Sequence, residues 1–173
     1  MRILSTILVL AAMAQAALAD TYWPGPDDIV TPHATGLHLT SADGTLREGL
    51  PFGTPFHTTM HTLVAIFGHD LTVAFPQECG AGPLVSVHVP GRINLVFQED
   101  QLAGWMMIGD SSLRTGSGLG IGSPRAALAT EGAVEFYDGS IGTEFGAGDL
   151  FGLLSEDGAR VLGIWSGATC IFR

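Results

Sequence analysis

The chain contains no lysine: its 7 cations are all arginine, set against 17 acidic residues for a formal net charge of −10. Without lysine there is no Schiff-base chemistry, no pyridoxal phosphate enzyme and no Walker-type phosphate loop. With so few cations the surface repels nucleic acid and anionic membrane, because both demand neutralised phosphates. Cysteine is almost as scarce. Only Cys79 and Cys170 occur, without a C-x-x-C spacing and far from the N-terminal apolar run, so neither a thioredoxin-like dithiol nor a lipid-bearing cysteine is available. Histidine stops at His88, leaving residues 89–173 without an imidazole base.

What the sequence does have begins at its N-terminus. A single cation, Arg2, precedes an apolar run from Ile3 that ends in Ala17-Leu18-Ala19 before Asp20. That order predicts a cleavable signal peptide over 1–19, too short for a retained span. Removing 19 of 173 residues leaves 154, enough for one domain with a core. We expect an extended lead over 20–36, where Pro24, Gly25 and Pro26 cluster, followed by a single domain over 37–173. In an exported chain Cys79 and Cys170 are expected to pair, closing a loop of about ninety residues and contributing roughly 4–5 kcal/mol in the chain-entropy model.

The strongest internal pattern is a heptad written twice. Gly49-Leu50-Pro51-Phe52-Gly53-Thr54-Pro55 returns as Gly118-Leu119-Gly120-Ile121-Gly122-Ser123-Pro124. Thr54 or Ser123 suits a helix N-cap, with Pro55 or Pro124 at the first helical position. Phe56, Met60, Leu63, Val64 and Phe67 then fall at helical spacing before Gly68, and Ala126 to Ala129 predict a shorter helix before Gly132. Each helix is followed by a strand-like hairpin: Ile93–Phe97 with Leu102–Met106, and Leu150–Leu154 with Val161–Trp165. Further strands are expected at Leu71–Phe75, Leu84–Val89 and Val134–Tyr137. The predicted fold class is therefore α+β, a tandem duplication over about 46–107 and 113–172 of one helix followed by an antiparallel meander, with helices packed on sheet.

A Gly-x-x-x-Gly-Thr/Ser-Pro lead into a helix, with a meander after it, in tandem and behind a signal peptide, resembles the secreted β-lactamase inhibitor proteins and the small outer-membrane assembly lipoproteins. The resemblance covers roughly residues 46–172. The chain departs from the lipoproteins in lacking a lipid-bearing cysteine, and from the inhibitors in having one possible disulfide rather than one per copy. The resemblance implies binding of another protein through an exposed sheet face, and carries over no catalytic residue.

Other residues invite chemistry. His57 and His61 stand four apart on the predicted first helix, with Met60 between them and His69 just beyond. That spacing can begin a copper or zinc site, for which His33, His38 or His88 would supply a further ligand. Two histidines on one face of an ordinary solvated helix are the simpler reading. Gly109-Asp110-Ser111-Ser112-Leu113 resembles the Gly-Asp-Ser-Leu esterase family, which would make Ser111 a nucleophile, yet that family's base lies downstream, where no histidine stands. The acid pairs Glu99-Asp100 and Glu156-Asp157 fall in matching turns and are expected to shape them. Trp105 and Trp165 sit on matching strands, where they serve either as core or as anchors for a partner. These observations favour a non-enzymatic periplasmic or secreted protein-binding module without a cofactor. A metal carrier using His57, His61 and His69 is the rival, and a hydrolase at Ser111 a third reading.

Overall fold

The computed structural model describes residues 23–171; the expected signal peptide over 1–19 lies outside the described residues. Three strands come first, β1 (Ile29–His33), β2 (Gly36–Thr40) and β3 (Leu46–Pro51), followed by one helix, α1 (Phe56–Phe67). Four more strands follow: β4 (Thr72–Ala74), β5 (Val85–Val89), β6 (Ile93–Gln98) and β7 (Gln101–Ile108). After a seven-residue 3-10 helix, Arg125–Glu131, the chain ends in β8 (Glu135–Gly139), β9 (Gly142–Ala147), β10 (Leu150–Leu154) and β11 (Val161–Gly167). β1 to β3 form one sheet; the other eight strands form a second in the order β4-β5-β6-β7-β11-β10-β9-β8, antiparallel at every pairing.

This arrangement overturns the predicted α+β internal repeat. The protein is mainly β, with 44% of its described residues in strands and isolated bridges and 13% in two short helices. The first heptad opens inside the three-stranded sheet, with Gly49, Leu50 and Pro51 ending β3, whereas the second opens in no strand and has no such sheet before it. The two helices also differ in kind. α1 runs three turns because Thr59, Thr62, Leu63 and Ile66 form a wide buried stripe. The two buried threonine hydroxyls bond back to the carbonyls of Pro55 and Thr58 at 3.2 and 3.1 Å, which satisfies them inside the helix. In Arg125–Glu131 only Leu128 is buried, and three alanines bury too little surface to offset the cost of nucleating an α-helix.

The expected caps are not formed either. Pro55 and Pro124 occupy the N-cap positions without a side-chain bond. Thr54 instead turns its hydroxyl back to Pro51 O at 2.6 Å, and the Ser123 hydroxyl accepts Gly120 N–H at 3.0 Å. What the heptads share is a local turn. Gly53 and Gly122 both adopt a left-handed φ, +93° and +79°. Their N–H groups bond Leu102 O and Val161 O, both at 2.8 Å, and Thr54 O and Ser123 O accept from the same two residues at 2.8 and 2.9 Å.

The core lies between the two sheets and beneath α1. Leu37 and Leu39 of the small sheet meet Leu95, Phe97, Trp105, Met107, Phe145 and Ile164 of the large one, with Leu63 from α1. Each such buried side chain contributes about 1.5–3 kcal/mol relative to exposure. The turn between β1 and β2 is held to this core by two polar bonds. Trp105 Nε1–H donates to His33 O at 2.8 Å, and the buried Ser166 hydroxyl lies 2.6 Å from Ala34 O. The lead expected over 20–36 is thus structured from Ile29 onward, because Val30 and the His33–Gly36 turn take part in the core.

Candidate functional site

One face of the eight-stranded sheet packs on the core; the strand register identifies the residues of the other. Trp105 pairs with Ser166, and Met107 with Ile164, Gly152 and Phe145 in turn, giving the inner face. Between those positions the outer face reads in two rows. The first runs Glu135, Gly146, Phe151, Trp165, Met106, Asn94, His88, and the second Tyr137, Glu144, Leu153, Gly163, Ile108. Ile108 is 51% exposed, Tyr137 41% and Phe151 36%. A register shift between Leu153 and Leu154 leaves Leu162 as an extra residue, 46% exposed. Glycines leave room on this face for the side chains beside them. A Cβ on Gly163 would stand 3.3 Å from the Trp165 ring and 3.4 Å from Ile108, and one on Gly146 would stand 3.6 Å from the Phe151 ring. Glu144, buried among these residues, lays its carboxylate over Gly139. Exposed apolar side chains thus stand on β7, β11, β10 and β8 of one face.

Both tryptophans singled out by sequence are buried, and they point to opposite sides. Trp105, 0% exposed, faces the core; Trp165, 4% exposed, lies on the outer face but is sunk between Gly163 and its neighbours. Neither is a surface anchor. The side chains that do project, Ile108, Tyr137, Phe151 and Leu162, had one signal in the sequence: Leu150–Leu154 is apolar at odd and even positions alike, which marks a strand covered or contacted on both faces.

Cys79 and Cys170 meet. Cys79 lies in the loop between β4 and β5, Cys170 three residues beyond β11, and both are thiols here. A hydrogen bond with Cys79 first, then partial burial and the neighbouring sulfur's charge, push the Cys170 thiol up to about 11. Beside Cys79 opens a cavity of about 490 Å³ lined by Phe56, Phe75, Pro83 and Phe97.

The histidines do not assemble. His57 and His61 are exposed on α1 and line one groove of about 780 Å³ with Trp23, Glu48 and Leu50. Trp23 meets His61 edge-on at 5.7 Å between ring centroids, while His69 stands past the end of α1 and is not among the residues lining that groove. His33 and His38 stack on each other at 4.4 Å, in the small sheet. Among the described residues no three His, Cys, Asp or Glu side chains gather closely enough to hold a metal ion.

Ser111 has a structural task. Its hydroxyl donates to Arg92 O and Ser112 Oγ bonds Gly91 O at 3.0 Å, so the Gly109–Leu113 segment is fastened to the β5–β6 turn. The acid pairs divide. Asp157 accepts from the Ser155 hydroxyl at 2.5 Å and from Ala159 N–H at 3.0 Å, and both bonds, the hydroxyl first, hold its carboxyl below the usual range. Glu99 and Asp100 take left-handed φ values of +49° and +61°, a conformation that costs roughly 1–2 kcal/mol per non-glycine residue. Asp100 O accepts the first N–H of α1, from Phe56, at 2.8 Å, which ties this turn to the helix. Among the described residues no helix is long and apolar enough to cross a membrane. No family model, no curated protein and no solved structure matches the chain.

Proposed function

We propose that this chain is a non-catalytic, periplasmic or secreted protein that binds another protein through the outer face of its eight-stranded sheet. One observation carries this reading: Ile108, Tyr137, Phe151 and Leu162 project, 36–51% exposed, from four strands on one face of the eight-stranded sheet. Large apolar side chains grouped on an exposed face favour association, since covering them removes apolar area from water. The acid excess adds a preference. A chain with 17 acids and 7 arginines steers cationic surfaces toward itself and repels a second copy.

The test is a photo-crosslinking amino acid placed at Phe151, at Leu162, or, as a control on the opposite side, at His57. The full-length protein is expressed in its native host and exported. A discrete protein adduct from the first two positions and none from His57 is the expected result, and Ile108→Ser should diminish it. Equal adduct patterns from all three positions refute the proposal.

A further inference from the structure

The end of β11 and the loop before β5 are far apart in sequence, and the fold brings them together across the outer face. Gly167, at φ +71°, turns the chain out of β11, yet Ala168 N–H still bonds Ala103 O at 2.8 Å. Gly104 is what lets it pass. A Cβ there would stand 2.0 Å from Ala168 O and 2.7 Å from Ala168 N, so the tail's backbone rests directly on β7. Val96, the register partner of Gly104 on β6, is 1% exposed although it lies outside the core cluster, as a residue beneath the tail would be. Beyond the tail, the receiving loop is itself anchored. Gly82 N–H bonds Cys79 O at 3.0 Å, and Gln98 Nε2 bonds Ala81 O at 2.7 Å. The Cys79 and Cys170 thiols then touch through a hydrogen bond.

We propose that Cys79 and Cys170 are oxidised to a cystine that clamps the C-terminal tail over Gly104 and Val96, so that the redox state of this pair sets the inner boundary of the open sheet face. In the reaction the two S–H bonds break and one S–S bond forms. The two electrons and two protons pass to a disulfide-bearing oxidant, such as glutathione disulfide or a dithiol oxidase, whose S–S bond is cleaved to two thiols through a mixed disulfide. Export to an oxidising compartment would keep the clamp closed. The clamp stands on its own geometry; only its bearing on partner binding rests on the docking role proposed above.

Full-length protein, equilibrated with glutathione disulfide and then treated with iodoacetamide without reductant, is expected to carry no alkyl group. Its mass should be lower by two hydrogens, with a linked peptide containing Cys79 and Cys170; reduction should free both for alkylation. Hydrogen exchange reads the clamp separately. Reduction should speed exchange at the Ala168 amide by about tenfold or more while leaving Ile164 in mid-strand unchanged. Cys79→Ser and Cys170→Ser should each reproduce that increase, and the double variant should not exceed it. Alkylation of both cysteines without reductant overturns the cystine. Exchange at Ala168 that ignores reduction overturns the clamp, even where the cystine forms.

Discussion

The attachment of the small sheet to the large one makes a quantitative prediction. Trp105 and Ser166 are register partners at the junction of β7 and β11, both 0% exposed, and together they hold the His33–Gly36 turn through His33 O and Ala34 O. Trp105→Phe leaves His33 O without its donor, about 1–3 kcal/mol, and adds about 1 kcal/mol for the smaller ring. Ser166→Ala removes the single proton available to Ala34 O at 2.6 Å and Asp149 O at 2.8 Å, about 1–2 kcal/mol. Against a domain stability of about 5–15 kcal/mol either loss is measurable, and their combination is more informative. Once one bond is lost the turn can lift, water reaches the other carbonyl, and the second substitution costs less. The double variant should therefore fall short of the sum by about 1 kcal/mol. Urea titrations of the four proteins give the cycle, with midpoints shifting and slopes unchanged. Additivity within about 0.3 kcal/mol, or a Trp105→Phe cost below about 0.5 kcal/mol, would show that the turn is not jointly held.

Acid sensitivity follows from two turns of the same design. Asp43 is held down to about 2, first by the Ser41 hydroxyl and then by Thr45 N–H, and Asp157 is lowered from 3.8 in the same manner by Ser155 and Ala159. Folded values below unfolded ones mean that this stabilisation is present above pH 3.8 and is lost as pH falls from there toward 2, so melting temperature should decline in that window. Asp43→Asn together with Asp157→Asn should flatten the decline; an unchanged slope would mean that other carboxylates govern it. Asp100→Gly should raise stability by about 0.5–1 kcal/mol, because glycine takes the φ of +61° without strain, and a loss in urea titration would contradict that. Ser111→Ala should cost about 1 kcal/mol through its lost bond to Arg92 O and leave any ester hydrolysis at the level of the unsubstituted protein; a loss of hydrolysis would revive the nucleophile reading.

The hairpins were legible because their sequences satisfy two demands at once. Ile93–Phe97 and Leu102–Met106 combine β-branched and large apolar residues with a polar turn, and they form β6 and β7 within a residue or two. The same holds for β10 and β11. β9 was missed because Gly142, Gly146 and the buried Glu144 break the usual strand composition, although each has a place: the glycines make room for Leu153 and Phe151. β1 was read as lead because Pro32 and the preceding Pro-Gly cluster dominate the local signal. Its core residue, Val30, acquires meaning only from Leu39 on the partner strand. The outer-face site was the least legible part. Nothing in the spacing of Tyr137, Phe151 and Ile108 tells that β8, β10 and β7 lie in one sheet separated by β9 and β11.

The heptads show why a repeated motif did not predict a repeated unit. In each, the glycine and the Thr or Ser exchange backbone bonds with a residue at the start of a later hairpin's second strand, Leu102 in one case and Val161 in the other. Those bonds need a left-handed glycine, a following carbonyl and a proline that withholds an N–H, and seven residues suffice to encode them. A helix needs more. It forms only where the next dozen residues carry a stripe that the sheet can bury, which Phe56–Phe67 has and Arg125–Glu131 lacks. The likeness between the two halves therefore specifies how each chain segment enters the sheet, while the burial pattern after it decides whether a helix or a short 3-10 turn follows.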